Sequence, residues 1–595
     1  VSEASERTEG AVDPIPGPGV GQTLLSPEQR AIAWDRLGSE QFDVVVIGGG
    51  VVGAGAALDA ATRGLKVALV EARDFASGTS SRSSKMFHGG LRYLEQLEFG
   101  LVREALHERE LSLTTLAPHL VKPLPFLFPL TNRWWERPYV AAGIFLYDQL
   151  GGAKSVPAQK HLLKAGALRL APGLKRSSLI GGIRYYDTVV DDARHTMTVA
   201  RTAAHYGAVV RTSTQVVALL REGDRVTGVK IRDSENGAVT EVHGHVVVNA
   251  TGVWTDEIQA LSKQRGRFRV RASKGVHIVV PRDRIVSEVA IILRTEKSVL
   301  FVIPWGTHWI IGTTDTDWNL DLAHPAATKA DIDYILETVN TVLATPLSHD
   351  DIDGVYAGLR PLLAGESEET SKLSREHAVA VPAPGLVAIA GGKYTTYRVM
   401  GEDAIDAAAE FVPTRVAPSI TEKVPLMGAD GYFALINQTE HVGKHYELHP
   451  YRVRHLLDRY GSLIGEVLAM ASEQAAVRPD LLDPITEAPV YLKVEAWYAV
   501  VAEGALHLED ILTRRMRIGI EYPHRGVDCA REVAEVVAPV LGWSAEDVDR
   551  EVATYVARVE AEVMSQTQPD DESADALRAA APEARAEILE PVPLN

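Results

Sequence analysis

This sequence predicts an α/β (α+β) chain in three parts: a Rossmann-like nucleotide-binding unit, an antiparallel-sheet unit interleaved with it, and an all-helical C-terminal unit. Three observations carry that expectation. The apolar, β-branched run Phe42 to Ile47 meets Gly48, Gly50 and Gly53 in G-x-G-x-x-G spacing. Between Arg267 and Asp317 the chain is dense in Val, Ile and Trp and is broken by turn sequences at Pro281 to Arg284 and Trp305 to Thr307, as in an antiparallel sheet. Past the boundary at Pro413 to Val424 the apolar residues recur with a helical period.

Taken in order, Val1 to Gly21 is rich in Pro, Gly and Glu with no apolar core, so residues 1–25 read as a disordered tail without a secretory signal. Ser26-Pro27-Glu28-Gln29 has the pattern of a capping box that opens a helix. The strand at Phe42 then runs into the glycines: the first makes the turn, the second lets backbone approach a pyrophosphate, and the third lets helix and strand pack. Gly64 stops the helix, and the next strand, Lys66 to Val70, ends in Glu71, where a carboxylate can accept from ribose hydroxyls. An acid there favours a ribose without a 2′-phosphate.

The stretch Ser80 to Leu94, SSRSSKMFHGGLRYL, combines four serines, Arg82, Lys85, His88, a glycine pair and Arg92-Tyr93. It reads as an anion site rather than an ordinary helix or strand, the bland alternative being a polar surface loop. Phe126 to Leu150 carries Trp134, Trp135, Tyr139, Ile144, Phe145 and Tyr147 among Arg133 and Arg137, which suits either a membrane interface or a packed helix. His245 to Gly252 is a strand ending in Ala-Thr-Gly, and Leu386 to Thr396 is a strand opening onto Gly391-Gly392. Near the end, Ser544 and Asp547 form a capping box, and Val548, Val552, Tyr555, Val556, Val559 and Val563 share one helix face. From Gln566 the sequence turns acidic and Ala-rich, a mobile or loosely helical tail.

Composition excludes several functions. A formal charge of −18 argues against a nucleic-acid partner, so an anionic substrate needs a local basic pocket. The single cysteine, Cys529, excludes an internal disulfide and fits a reducing compartment. No histidine and carboxylate cluster has zinc spacing, so no metal is expected. No segment has the roughly 20 apolar residues that a membrane span needs.

The order of a G-x-G-x-x-G unit, an Ala-Thr-Gly strand and a Gly-Gly strand-helix resembles the FAD-dependent oxidoreductases of the glycine-oxidase and D-amino-acid-oxidase superfamily. Within it, over roughly residues 40–560, the chain resembles the flavin-linked aerobic glycerol-3-phosphate dehydrogenases in their actinobacterial form. The motifs are FDVVVIGGGVVGAG, SSRSSKMFHGGLRYLEQLEFGLVREAL, ASKGVHIVVP, IIGTTDTDW, YAGLRPL, LSREHAV, GGKYTTYR and LHLEDILTRRMRIGIE. This resemblance implies FAD as cofactor, oxidation of sn-glycerol 3-phosphate to dihydroxyacetone phosphate with hydride passing to the flavin, and a quinone as the onward acceptor.

It also assigns residues. His277 is the candidate general base, with Arg360 sharing the catalytic work. Arg92, Tyr93, Arg360, Arg375 and Lys393 are the expected substrate ligands, the cations serving the phosphate. Gly48, Gly50, Gly53, Glu71, Ser80, Ser81, Ser84, Lys85, His88, Gly252, Gly392, Thr395 and Thr396 are the expected cofactor contacts. The expected domain map places FAD parts at about 40–125, 180–260 and 380–412, and substrate parts at about 126–179 and 261–379. A helical domain follows at about 416–565, then an acidic tail at 566–595. A cytoplasmic homodimer, peripheral on the inner face of the membrane, completes the expectation. The competing readings are a glycerophosphate oxidase using oxygen, an FAD-dependent amino-acid oxidase or dehydrogenase, and a catalytically silent flavin-binding module.

Overall fold

Ser26 starts the first helix, Pro27–Ser39, by accepting from the Gln29 amide at 3.2 Å, with Pro27 in the first turn where a missing N–H costs nothing. The computed structural model describes residues 24–585 apart from 91, 96, 132–135, 152–154, 178, 263–268, 296–298 and 365–375, and it leaves out the side chains of Arg92 and Glu95. The predicted N-terminal tail therefore lies, up to residue 23, outside the described residues.

Gln41–Ile47 is the central strand of the first sheet. It runs parallel to Val67–Val70 on one side and to Val239–Asn249 on the other. Val209–Arg211 and Leu386–Gly391 extend the parallel order outward, and His377–Ala383 closes one edge antiparallel. Where both faces are covered its inner strands become continuous apolar runs, Val44 to Ile47, Val67 to Val70 and Val246 to Val248. Helices Val51–Thr62, Asp192–His205 and Tyr397–Ala409 supply one apolar layer, joining Ala57, Met197 and Ile405 to Val44, Val46 and Val248. The first helix and the strands Thr214–Glu222 and Arg225–Asp233 cover the other face.

The second sheet is antiparallel except where Ala290–Arg294 lies parallel to Val121–Leu130. The stretch predicted as antiparallel sheet forms Val270–Pro281, Ala290–Arg294, Val299–Trp305, His308–Gly312 and Thr316–Trp318. Two assignments change. Gly181–Val190, expected in the FAD part, pairs along its whole length with Val121–Leu130 and so belongs to the second sheet. The aromatic stretch Phe126 to Leu150 is split between that strand and a helix, Glu136–Gly151, which buries Ile144 and Tyr147 but leaves Tyr139 and Phe145 48% and 57% exposed. Trp134 and Trp135 lie outside the described residues.

The C-terminal unit packs its helices around Val453, Leu457, Tyr498 and Val533, with one short ladder between Pro484–Ile485 and Ala488–Leu492. Ser544 and Asp547 form the predicted capping box on Ala545–Ser565. Val548 and Tyr555 are buried on the predicted face, whereas Val563, at its far end, is 45% exposed. The segment after Gln566, expected to be mobile or loosely helical, forms helix Asp571–Ala580, capped by Asp570. Neutralised charges attach the helical unit to the nucleotide unit: Arg514 and Arg515 bind Asp74, Arg194 binds Glu503, and Arg517 binds Asp191 and Asp192, all buried or nearly so.

Candidate active site

Between the two sheets lies a cavity of about 1090 Å³, large beside the roughly 300–1,000 Å³ of ordinary ligand sites. Its nucleotide half grows from the glycine turn. Gly48 takes φ 108°, and a Cβ there would lie 2.8 Å from the Ala250 carbonyl oxygen. Gly50 lines the cavity with an ordinary φ of −73°, so its bareness leaves room beside the backbone rather than relieving strain. Gly53 does not line it. A Cβ there would sit 1.9 Å from the Gly48 carbonyl oxygen, which is the packing role read from the sequence.

The helix after these glycines points its N-terminus at the cavity, where Ser80 Oγ accepts from the Val51 amide at 2.9 Å. Unpaired amides and the helix dipole favour an anion at that place. Glu71, at the end of the neighbouring strand, accepts from the amides of Gly49 at 2.6 Å and Arg73 at 2.9 Å. Burial raises its pKa while those two amides oppose the shift. A long cavity with a helix N-terminus and a strand-end carboxylate along it fits a dinucleotide. Gly252, Gly392 and Thr395 line the same cavity. The Thr395 hydroxyl accepts from the His88 amide at 3.1 Å and so ties the Gly-Gly turn to the serine-rich loop.

The other half is built on two paired strands, Val270–Pro281 and Gly354–Leu363. Their register sets His277 opposite Tyr356, Gly275 opposite Gly358 and Ser273 opposite Arg360. Alternation puts all six on one face. The two glycines admit close neighbours between the aromatic end and the arginine: a Cβ on Gly275 would meet Arg360 Nη2 at 2.5 Å, so the guanidinium folds back over that residue, and a Cβ on Gly358 would meet the Arg82 carbonyl oxygen at 2.4 Å. Arg360 Nη2 donates to Thr313 Oγ1 and the Thr314 carbonyl, both at 3.1 Å, and Nη1 reaches Asp315 Oδ1 at 3.4 Å.

His277 stacks on Tyr356 with centroids 4.8 Å apart and planes 12° apart, and its Nε2 lies 2.9 Å from Ser84 Oγ. Burial first, then Arg360 and Lys85, holds its pKa well below 6.5, so the imidazole is neutral near pH 7. Lys393 lies 3.6 Å over the ring of the buried Tyr93, and both line the cavity with His88.

The structure thus brings together Gly48, Gly50, Glu71, Ser80, Ser84, His88, Tyr93, Gly252, His277, Arg360, Gly392, Lys393 and Thr395. Lys85, Ser81 and Thr396 are placed elsewhere. The Lys85 ammonium is fully buried against Asp192 Oδ1 at 2.9 Å and the Ser81 carbonyl at 3.0 Å, so its charge is spent inside the protein. Burial, with Arg517, lowers its pKa to about 8 against the pull of Asp192. Thr396 is buried at the N-cap position of the helix that follows, where its hydroxyl makes no capping bond and donates instead to the Lys393 carbonyl at 3.4 Å. Arg375 and the side chain of Arg92 lie outside the described residues.

Sequence reasoning missed Tyr356, Asp315 and Trp254. Tyr356 had a readable signal, because Tyr356, Gly358 and Arg360 alternate along one strand. It missed Ala579 and Glu583 as well, which line the cavity from the C-terminal segment.

Residues 43–398 match the FAD dependent oxidoreductase family, and residues 419–548 match the C-terminal domain of alpha-glycerophosphate oxidase. The chain is 85% identical over 587 residues to glycerol-3-phosphate dehydrogenase 2 of Mycobacterium tuberculosis, covering 98% of this chain and 100% of that one. It is 35% identical over 541 residues to the mitochondrial glycerol-3-phosphate dehydrogenase of Homo sapiens, covering 87% and 73%. The glycerol-3-phosphate dehydrogenase from Bacillus halodurans, solved with FAD, superposes with a TM-score of 0.76 at 28% identity, covering 92% of this chain and 100% of that one. The cofactor is FAD, and the glycine turn, the helix N-terminus and Glu71 line the cavity in the arrangement that a dinucleotide fits. The chain belongs to the FAD-dependent oxidoreductases and, among them, to the glycerol-3-phosphate dehydrogenase family.

Proposed function

We propose that this chain oxidises the C2 hydroxyl of sn-glycerol 3-phosphate to the ketone of dihydroxyacetone phosphate and delivers the electrons to a quinone. The observation that carries the reading is the shared face of His277 and Arg360 in the cavity that also holds the nucleotide elements. The guanidinium over Gly275 is two residues, roughly 7 Å along the strand, from His277. That offset suits a short molecule with a phosphate at one end and a reacting hydroxyl near the other.

Arg360 supplies a planar fork for the phosphate, and Lys393, already half-buried over Tyr93, adds a second positive charge. His277 takes the hydroxyl proton at Nε2, the nitrogen that Ser84 now reaches. A dianion bound beside it favours the protonated imidazole, so its proton affinity rises as substrate arrives. Bound FAD supplies the two-electron acceptor for the hydrogen at C2.

Among the described residues no helix is long and apolar enough to cross a membrane. The proposed encounter with quinone is peripheral, at the inner membrane face, with Tyr139, Phe145 and Leu146 as exposed apolar contacts on one helix. Anaerobic mixing of FAD-loaded protein with glycerol 3-phosphate should bleach the flavin absorbance. Bleaching by D-amino acids alone would sink the proposal. Turnover with oxygen but not with a soluble quinone would make the protein an oxidase.

A further inference from the structure

We propose that residues 571–585 form a strap that closes the cofactor cavity and sets how long FAD stays bound, an inference that rests on the FAD site above. Helix Asp571–Ala580 and the five residues after it cross from one unit of the protein to another. At the near end Asp571 pairs with Lys274 of the antiparallel sheet, a buried lysine whose Nζ also meets Asp331 at 2.7 Å. Ala574 is fully buried in an apolar cluster with Val253, Trp318 and Leu359.

Along the middle, Arg578 pairs with Glu562 at 2.8 Å, and Asp575 accepts from the Asp321 amide at 3.3 Å. Glu583 pairs with Arg558 at 3.0 Å and with His324. At the far end Arg585 binds Asp510 of the helical unit at 2.8 Å and donates to Ser213 Oγ of the nucleotide unit at 2.7 Å.

One end is thus tied to the antiparallel sheet beside the lining residue Gly275 and the other to the helical and nucleotide units, and the span between them is part of the cavity wall. Ala579 and Glu583 line it beside Leu322, Ala323 and His324, and Ser213 immediately precedes the lining residues Thr214 to Val217. An extended dinucleotide under this span leaves when the strap lifts, which requires breaking the Arg585 anchor and withdrawing Ala574 from its cluster. An acidic, Ala-rich stretch has little apolar surface to order itself. Its order comes from these anchors.

The test uses holoprotein. FAD release is followed by the rise of flavin fluorescence after dilution, for the wild type, Arg585→Ala and Glu583→Gln. Hydrogen exchange of amides in 571–585 is measured with and without FAD. Each variant should release FAD at least about tenfold faster, the scale of one lost charge-assisted hydrogen bond, and FAD should slow exchange in 571–585. Wild-type release rates in both variants, or equal exchange with and without FAD, would overturn the strap. A wild type that binds no FAD would instead overturn the cofactor site on which it rests.

Discussion

Replacing Arg360 with alanine removes the guanidinium that folds over Gly275. Its Nη2 contacts, Thr313 Oγ1 and the Thr314 carbonyl at 3.1 Å, hold the plane of the fork. Its Nη1 contacts to Ser273 Oγ, the Lys274 carbonyl and Asp315 are each 3.4 Å, at the long end of hydrogen-bond geometry, and can be exchanged for a phosphate at small cost. Two charge-assisted hydrogen bonds to the phosphate, each ~1.5–3 kcal/mol, make about 3–6 kcal/mol. Arg360→Ala should therefore lower kcat/KM by about 10²–10⁴.

The fold should barely respond, because the ion pair with Asp315 is long and the arginine side chain is 25% exposed, a setting worth about 1 kcal/mol or less. Arg360→Lys should recover part of the loss, since it restores charge without the fork. The assay is dye-linked oxidation of glycerol 3-phosphate at saturating FAD, with flavin content read by absorbance on the same samples. An alanine variant within about threefold of wild-type kcat/KM, some 0.7 kcal/mol, would refute the phosphate clamp. So would one that loses flavin rather than turnover.

His277→Asn should lower kcat by about 10²–10⁴. Because burial, Arg360 and Lys85 keep the wild-type imidazole neutral to well below pH 6.5, the acid limb of the kcat/KM profile should lie below 6.5 and vanish in the variant; the same limb in both would exclude His277 as the base. Gly53→Ala puts a Cβ 1.9 Å from the Gly48 carbonyl oxygen, so the variant should purify with little flavin, and full occupancy would contradict the packing role. Asp192→Asn leaves the buried cations Lys85 and Arg517 without that carboxylate. Denaturant unfolding should register a loss of ~3–5 kcal/mol, and a change below about 1 kcal/mol would count against the pairing.

The nucleotide half of the site was legible because its cues are local. Strand, glycines, helix and Glu71 occupy one continuous stretch, and each has a backbone reason to be where it is. Roles set by distant partners were not legible. Lys85 sits in a loop that reads as an anion site, yet its partner, Asp192, is 107 residues further on. Ser84, read as a cofactor contact, also reaches His277 across 193 residues. Gly181–Val190 reads as a strand in either sheet, and only its register with Val121–Leu130 decides which. That the segment Asp571–Ala580 docks, rather than staying mobile or loosely helical, was hidden because its stabilising partners, Lys274, Asp321 and Glu562, lie on other elements.

The burial of Lys85 constrains how the chain can be recombined. Arg517, from the helical unit, converges on the same Asp192 carboxylate as Lys85, in the loop that also presents Ser84 and His88 to the cavity. A chimaera that joins residues 24–415 of this chain to the helical unit of a relative would keep its substrate groups. If the incoming segment put a neutral residue at position 517, Asp192 would keep Lys85 as its one cation beside the Ser83 amide and hydroxyl, and the loop would lose a neighbouring cation that lowers the Lys85 pKa. The two parts are not interchangeable modules. A graft has to carry position 517 together with 85 and 192 as one inherited set.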